Sequence, residues 1–355
     1  MKIGVLSFFT PNINGHGGEK RSYQIRKLFN DVVFIELFHF KEPINLWQRL
    51  ILCMPTILSM RIILDNSRVG FSKTFIRDIR RINSFIIGNK KYLKNLDLVV
   101  WESNSHDNYF IPYVLKNYFN IRVFAFPHNL ETLVYNNQEK QGLNLFVDLK
   151  LELTALKLCE RVFVISREEN WLLKLLYIDS IYLPFYLENN FKKSYNNGLK
   201  NILVIGSFNN PPTGAGMFEI IEYFRDNIEL FNEMDLHVIG FGTEVFRHFE
   251  SDRIHIYGGV SNFDEILLKI DIILINQMPS SGALTKIIEF SKMGFKIICN
   301  VDSKRSYFDF ENVFEFNQLN EIPLIIKEIN KFELKKNGID RVLKDIQYAM
   351  EKIKN

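Results

Sequence analysis

Short, continuous runs of apolar residues alternate along this 355-residue chain with longer segments of helical periodicity. An apolar run without polar alternation indicates a β-strand buried on both faces, as in a parallel sheet. Because parallel strands need crossover helices, the alternation predicts right-handed βαβ units and a doubly wound α/β architecture. The predicted strands are Ile3–Phe9, Val32–Leu37, Leu98–Trp101, Val123–Phe126, Val162–Ile165, Ile202–Ile205, Leu236–Ile239, Ile254–Tyr257, Ile272–Ile275 and Lys296–Cys299. The predicted helices between them include Met217–Phe231, Phe263–Ile270 and Leu284–Met293.

The alternation pauses once, in a polar, asparagine-rich stretch between residues 187 and 201, and restarts with the strand Ile202–Ile205. A pause of this composition is typical of a linker between domains. The chain is also longer than the ~100–200 residues of an average domain. We therefore predict two Rossmann-like domains, at residues 1–190 and 200–335. An amphipathic segment at residues 339–355 is a candidate helix for packing back onto the first domain.

The composition excludes several classes of protein. With 47% hydrophobic and 24% charged residues, and only 18 Gly and 10 Pro, the chain is neither disordered nor collagenous. The three cysteines, Cys53, Cys159 and Cys299, lie far apart, which supports neither a disulfide framework nor a zinc site. The most apolar stretch, at residues 50–60, is shorter than the ~20 residues of a membrane span. These features predict a cytoplasmic protein.

Charge is distributed unevenly along the chain. The net charge is +3, but residues 41–95 alone hold eleven Lys and Arg against three Asp and Glu. Such a block predicts either a solvated helix face or a contact with an anionic partner. The apolar residues around Arg49 and Arg61 favour an anionic membrane surface as that partner, with the protein peripheral at the inner face of the membrane. No recognition motif accompanies the charge, so we expect no binding of nucleic acid.

A glycine-rich loop follows the first predicted strand. In doubly wound sheets ligands bind beyond the carboxyl ends of the strands, so such loops are the first candidates for a site. Gly15, Gly17 and Gly18 immediately precede a predicted helix. Glycines let the backbone approach a ligand, and the helix N-terminus offers N–H groups to an anion. The spacing differs from the GxGxxG fingerprint of NAD-binding proteins, and a flexible turn is the alternative interpretation.

A second candidate loop follows the strand Ile272–Ile275 and leads into the helix predicted from Leu284. Backbone N–H groups, the Thr285 hydroxyl and the Lys286 ammonium suit a diphosphate. Glu289 lies three residues after Lys286 on the same helix face and suits ribose hydroxyls. The pattern predicts a nucleoside-diphosphate site, but a capped helix with an ion pair between Lys286 and Glu289 has the same spacing. Both interpretations stay open at this point.

Four segments of the sequence resemble, in order and spacing, retaining family 4 glycosyltransferases with the GT-B fold. Their donor-site motif is matched by Gly282, Lys286, Glu289 and Gly294. Three other segments also resemble the family: the loop of Gly17, Gly18 and Glu19, the segment of His128, Asn129 and Glu131, and residues 204–212. The resemblance implies a GT-B protein in which two Rossmann-like doubly wound domains face each other across a cleft.

The resemblance also implies an activity. The chain would be a retaining, metal-independent glycosyltransferase that moves a sugar from a nucleoside-diphosphate sugar, of UDP or GDP, to a glycan acceptor. A role in bacterial surface polysaccharide or glycoconjugate synthesis follows from it, and the basic block suits a lipid-linked acceptor. No resident cofactor is implied, because the nucleotide sugar is a substrate.

The family pattern assigns roles to particular residues of this chain. The residues implied for catalysis are His128, Lys286 and Glu289. The residues implied for donor binding are Gly17, Gly18, Ser207, Tyr257, Gly259, Ser281, Gly282, Leu284, Thr285, Lys286 and Glu289. His16, Asn129 and Glu131 are implied on the acceptor side, and no metal ligand is implied. Glu102 and His106, which follow the strand Leu98–Trp101, either line the cleft or are ordinary polar loop residues.

The chain departs from the family pattern at two places. The family usually has another glutamate eight residues before the one at Glu289, where this chain has Ser281. Many members also carry a basic residue in the loop after Gly206, which here contains neither Lys nor Arg. Two alternatives therefore stay open. One is a catalytically silent GT-B partner or chaperone of an active transferase, and the other is a nucleotide-sugar epimerase or hydrolase.

Overall fold

The computed structural model describes residues 2–13, 15–29, 34–37, 73–103, 108–134, 145–187, 191, 193, 199–260, 264–279, 282–329 and 339–354. Tertiary contacts divide the chain into two compact units. The first unit comprises Met1–Leu183 together with Lys352–Asn355, and the second comprises Pro184–Glu351.

The first unit is a parallel sheet with helices between its strands. Its strands are β1 (Ile3–Leu6), β2 (Phe34–Glu36), β3 (Leu98–Trp101), β4 (Arg122–Ala125), β5 (Arg161–Val164) and β6 (Ser180–Tyr182). Its helices are α1 (Gly17–Lys27), α2 (Lys73–Leu93), α3 (Ile111–Phe119), α4 (Leu145–Leu158) and α5 (Arg167–Leu175). The strands pair in the order β2-β1-β3-β4-β5-β6, and every pair is parallel.

The second unit repeats this architecture. Its strands are β7 (Asn201–Ile205), β8 (Asp235–Ile239), β9 (Ile254–Gly258), β10 (Ile272–Ile275), β11 (Lys296–Asn300) and β12 (Val313–Phe316). Its helices are α6 (Pro211–Asp226), α7 (Asp264–Lys269), α8 (Thr285–Lys292), α9 (Val301–Lys304) and α10 (Ile322–Ile329), and α11 (Ile339–Lys354) follows them. The parallel strand order is β12-β11-β10-β7-β8-β9. The predicted doubly wound α/β class is therefore confirmed for both units.

Burial explains why the central strands have continuous apolar sequences. β1, β3 and β10 are buried at every position. Helix side chains cover them, such as Phe85 of α2 in the first unit and Phe224 of α6 in the second, and both are fully buried. Each such side chain stabilises the fold by roughly 1.5–3 kcal/mol relative to an exposed one. The chain contains 32 phenylalanines, and part of them therefore fill the two cores.

Two strands that the sequence did not predict lie at the edges of the sheets. β6 is a three-residue strand that begins with Ser180, and β12 has Glu315 exposed among its apolar residues. An edge strand has a neighbour on one side only, and short or partly polar strands are common there. The sequence signal of a doubly buried strand is for that reason absent from both. None of the described helices has both the length and the apolar character required to cross a membrane.

In each sheet the winding reverses at one pair of strands. In the first sheet β1 lies between β2 and β3, and in the second sheet β7 lies between β8 and β10. Loops leave the two strands of such a pair in opposite directions and open a crevice at their carboxyl ends, where open α/β sheets bind ligands. We call the loops after β1 and β3 the first crevice, and the loops after β7 and β10 the second crevice.

Candidate functional site

The first crevice contains a fully buried carboxylate, that of Glu102 after β3. One of its oxygens accepts a hydrogen bond from the Ser7 hydroxyl after β1, at 2.7 Å. The other accepts from the Ser22 hydroxyl on α1 and lies 3.2 Å from Nε2 of His128, which follows β4. Glu102 therefore joins residues from four elements at the carboxyl edge of the sheet.

Phe9 links this carboxylate cluster to the start of α1. Its ring contacts His128 and His16 edge-on, with centroid distances of 5.2 and 4.8 Å. His16 caps α1, since its Nδ1 accepts from the Gly18 N–H at 3.2 Å and its own N–H donates to Glu19 at 3.0 Å. A Cβ at Gly18 would lie 2.5 Å from the Phe9 ring. The Gly18 N–H that the sequence assigned to a phosphate is thus engaged in capping the helix.

Two buried carboxylates hold the loop that carries His128. Glu169 accepts the N–H of Leu130 at 2.9 Å. Glu152 accepts the N–H groups of Glu131 and Thr132 at 2.8 and 3.0 Å. Buried polar groups are nearly always hydrogen-bonded, and these backbone donors satisfy both buried carboxyl groups. Three consecutive peptide groups of this loop are fixed in this way, and no sequence motif indicated the two glutamates that fix them.

Glu131, predicted on the acceptor side, lies in the same loop. Burial and the neighbouring Glu152 raise the pKa of Glu131 to about 8. Burial also raises the pKa of Glu152. The amide of Asn129 donates to Glu131 at 3.4 Å. Glu131 consequently holds its proton at neutral pH and can donate as well as accept a hydrogen bond.

Lys286 lies in the second crevice, in the first turn of α8. Its ammonium donates to the carbonyl of Ile205, the last residue of β7, at 3.2 Å. Among the residues that the structure describes, it forms no ion pair, so the ion pair with Glu289 that the sequence left open is not present. Burial lowers the pKa of Lys286 to about 8. An ammonium in such surroundings is suited to an anionic ligand.

Glycines terminate three neighbouring strands at the second crevice, namely Gly206 after β7, Gly240 after β8 and Gly258 in β9. Gly240 has a φ of +146°, and a Cβ there would lie 1.7 Å from the carbonyl oxygen of Gly206. A Cβ at Gly206 would lie 2.3 Å from the Thr213 methyl group and 3.5 Å from Nζ of Lys286. The Thr213 methyl group and the Met217 sulfur already fill the space over Gly206, so glycine lets the end of β7 pack closely against α6 beside the ammonium.

Two side chains from the segment after β11 donate hydrogen bonds to the loop before α8. Gly282 has a φ of +78°, and its carbonyl accepts from Arg305 at 2.6 Å. The carbonyl of Leu284, the N-cap residue, accepts from the Tyr307 hydroxyl at 2.9 Å. No side chain caps the N-terminus of α8. Its first N–H groups, which include that of Thr285, are therefore oriented for an anion beside Lys286.

Comparison with solved structures identifies the fold to which these two crevices belong. The chain is similar to sucrose-phosphate synthase from Thermosynechococcus elongatus, with 14% identity, 99% of this chain and 96% of that chain covered, and a TM-score of 0.64. It is similar to HepE of Anabaena in complex with UDP and glucose, with 12% identity, all of both chains covered and a TM-score of 0.65. The chain has the GT-B fold. No protein-family model and no curated protein matches the sequence.

A third similar structure is the α,α-trehalose 6-phosphate synthase from Burkholderia multivorans, at 6% identity, with 99% of this chain and 95% of that chain covered and a TM-score of 0.61. The GT-B fold that the four sequence segments implied is therefore confirmed. Membership of family 4 stays a prediction.

The remaining predicted donor residues of this GT-B chain have other contacts. Ser281 and His106 lie outside the described residues, as do residues 41–72 of the basic segment 41–95. The carbonyl of Ser207 accepts from the Asn210 N–H at 3.2 Å in the turn before α6. The Gly259 N–H donates to Glu244 at 2.9 Å. The Tyr257 hydroxyl lies 2.9 Å from His237, so its hydrogen bond is made along the sheet rather than in the second crevice.

Asp235, His237 and His255 form a group whose potential ligand atoms lie within 4.8 Å of one another. Both ring nitrogens of His237 have hydrogen-bond partners, Tyr257 at 2.9 Å and Asn201 at 2.8 Å. The centroids of the two histidine rings lie 4.9 Å apart, and the rings are tilted by 33°. Burial, aided by His255, lowers the pKa of His237 to about 4. This group is a polar network at the amino-terminal part of β8 and β9, away from the second crevice.

Proposed function

We propose that this chain is a retaining, metal-independent glycosyltransferase that uses a nucleoside-diphosphate sugar, with UDP or GDP as the nucleotide. The observation that carries the proposal is the partly buried ammonium of Lys286 beside the N-terminus of α8, which no side chain caps. A solved structure of the similar HepE contains UDP-glucose, which supports a nucleotide sugar as the donor.

In the proposed reaction Lys286 neutralises the diphosphate as it leaves. The bond between the anomeric carbon and the diphosphate oxygen breaks, and the acceptor oxygen forms a bond to the same face of that carbon. The acceptor proton passes to the departing diphosphate, so no dedicated base is needed. Stabilisation of developing negative charge by fixed dipoles and a cation is often the largest single term in catalysis. The N–H groups of Leu284 and Thr285 supply such dipoles, and Glu289 positions the ribose.

The first crevice supplies the groups that meet the sugars. His128 is oriented on Glu102, and Asn129 and protonated Glu131 follow it in a loop fixed by hydrogen bonds. Hydroxyl-rich substrates need both donors and acceptors, and this loop offers both. We assign His128 to the transferred sugar, and His16, Asn129 and Glu131 to the acceptor side.

The acceptor is proposed to be a glycan, in lipid-linked form, in bacterial surface polysaccharide or glycoconjugate synthesis. The support is the excess of basic residues in the segment 41–95, which suits an anionic membrane surface. Seven of the eleven basic residues follow residue 72, and among them Lys90 and Lys91 lie in the last turn of α2.

The test is a thermal-shift and turnover screen of the full chain with UDP-, GDP-, ADP- and dTDP-sugars. We expect one nucleotide to raise the melting temperature and its sugar to be transferred to an oligosaccharide acceptor. Stabilisation without turnover would favour the silent-partner alternative. Release of free sugar or of an epimer would favour the hydrolase or epimerase. No stabilisation by any nucleotide would overturn the proposal.

A further inference from the structure

Glu102 is a buried acidic residue whose hydrogen-bond partners are two hydroxyls and one imidazole. Its carboxylate is fully buried. It accepts from Ser7 and Ser22, and it lies 3.2 Å from Nε2 of His128. In the described part of the chain no Lys or Arg pairs with it. A buried carboxylate persists only where its hydrogen bonds are satisfied, so each of these three donors matters to it.

These contacts determine where the protons are. An ionised carboxylate offers only acceptors, so while Glu102 is ionised the hydroxyls of Ser7 and Ser22 and the ring of His128 all donate to it. Ser7 donates its hydroxyl proton to Glu102 at 2.7 Å, and its oxygen accepts from the Arg26 guanidinium at 3.2 Å, which holds the hydroxyl in place. His128 therefore carries its proton on Nε2. In the neutral ring Nδ1 has no proton and is a hydrogen-bond acceptor.

The ring of His128 is also held against rotation. Its backbone N–H donates to the carbonyl of Ser103, the residue after Glu102, at 3.1 Å. Phe9 contacts the ring edge-on at 5.2 Å. The loop that follows is fixed by Glu152 and Glu169 through its peptide groups. Little freedom is left to be lost when a substrate hydroxyl meets Nδ1.

We propose that Glu102 is a positioning residue: it fixes the tautomer and orientation of His128 so that Nδ1 accepts a hydrogen bond from a sugar hydroxyl. The assignment of the sugar rests on the proposed function, whereas the tautomer does not. Glu102 acts through His128 and belongs to the first unit, so its loss affects the transfer step rather than the binding of nucleotide by Lys286.

The tautomer is measured by NMR of the full chain labelled with 15N-histidine, with the ring signals of His128 assigned through a His128→Gln variant. The expected wild-type spectrum has a protonated Nε2 and an unprotonated Nδ1. In Glu102→Gln the neutral amide can donate to the ring as well as accept, so we expect a mixed or reversed tautomer. The matched control is Ser22→Ala, which removes a donor to the same carboxylate but leaves the ring contact, and should keep the wild-type tautomer.

Kinetics with the donor found in the nucleotide screen supply the second readout. We expect Glu102→Gln to lower kcat by ~10-fold or more, as a wrong tautomer does elsewhere, with UDP affinity unchanged within twofold. A wild-type spectrum with the proton on Nδ1 would overturn the proposal. This test needs only the wild-type protein, so it still applies if Glu102→Gln fails to fold. An unchanged tautomer and kcat in a folded Glu102→Gln protein would overturn it too. Failure of all nucleotides to bind would count against the proposed function only, since the spectrum tests the tautomer separately.

Discussion

Lys286 changes its charge within the pH range in which most enzymes are assayed. Burial lowers its pKa to about 8, and a bound diphosphate would restore the charged form. Binding should therefore raise this pKa and take up a proton. We expect UDP affinity to be constant below pH 8 and to fall by up to ~10-fold per pH unit above it. Calorimetry at pH 8.5 in buffers of different ionisation enthalpy measures the proton uptake.

Two variants separate the charge of Lys286 from its titration. Lys286→Arg keeps a permanent positive charge and should bind UDP with little dependence on pH between 7 and 9. Lys286→Met removes the charge and should weaken UDP binding by ~10-fold or more, because a charge-assisted contact is worth roughly 1.5–3 kcal/mol. Wild-type affinity in Lys286→Met would contradict the diphosphate assignment.

The pKa of Glu131 is raised, whereas that of Lys286 is lowered, and this predicts a pH dependence of the free energy of unfolding. Its pKa is raised from 4.5 to about 8 in the folded chain, so the unfolded state binds fewer protons between these values. The contribution of Glu131 to stability is therefore fully present below pH 4.5 and is lost as the pH rises through 8. Glu131→Gln mimics the protonated group. Its melting temperature relative to wild type should increase steadily from pH 5 to pH 8.5 in parallel thermal melts, and a difference independent of pH would refute the buried, protonated state.

At the scale of elements, the carboxyl ends of β7, β8 and β9 depend on glycine for their close approach. Gly240→Ala would place a methyl group 1.7 Å from the Gly206 carbonyl oxygen at a φ of +146°. We expect this variant to lose several degrees of melting temperature and to bind UDP poorly, since both the backbone and the second crevice must shift. Gly259→Ala is the matched control for the melting temperature, because a Cβ there makes an ordinary contact of 3.6 Å. Equal melting temperatures of the two variants would contradict the role of Gly240.

The elements also indicate what a sequence can reveal. β1, β3 and β10 were predicted because burial on both faces leaves a continuous apolar run, whereas β6 and β12 lie at edges and lack that signal. Helix α6 begins at Pro211, six residues before the predicted start at Met217, because its first turns contain proline and small residues without an amphipathic period. Lys286 was found because its motif is local in sequence.

The cluster of His128, Glu102 and the two serines that donate to Glu102 could not be predicted in the same way. Glu102, Ser7 and Ser22 come from different elements, and only the strand order of the sheet brings them to one place. Arg305 and Tyr307 likewise reach the loop before α8 from beyond β11. Contacts of this kind depend on the order of the strands in the sheet. A single sequence predicts where strands occur along the chain, but it does not predict which strands become neighbours.

At the scale of the whole molecule, the uneven charge predicts where a membrane would bind. Reversal of Arg77, Arg80 and Arg81 to Glu should abolish flotation of the full chain with vesicles that contain anionic lipid, because each basic residue near such a surface is worth about 1 kcal/mol. The control reverses three exposed bases of the second unit, Arg247, Lys269 and Lys327, and should float like wild type. If the wild-type chain does not float at low salt, the basic segment 41–95 is a solvated helix face and not a membrane contact.

The contacts of Glu102 have a consequence for the time course of folding. Its partners Ser7, Ser22 and His128 are 95, 80 and 26 residues away along the chain. Contacts this distant form only after β1, β3 and β4 are aligned, and parallel sheets built from non-local pairings fold slowly. The orientation of His128 is therefore acquired late, after the helices that flank it. During synthesis, the first crevice cannot take its final form until about one third of the polypeptide has left the ribosome.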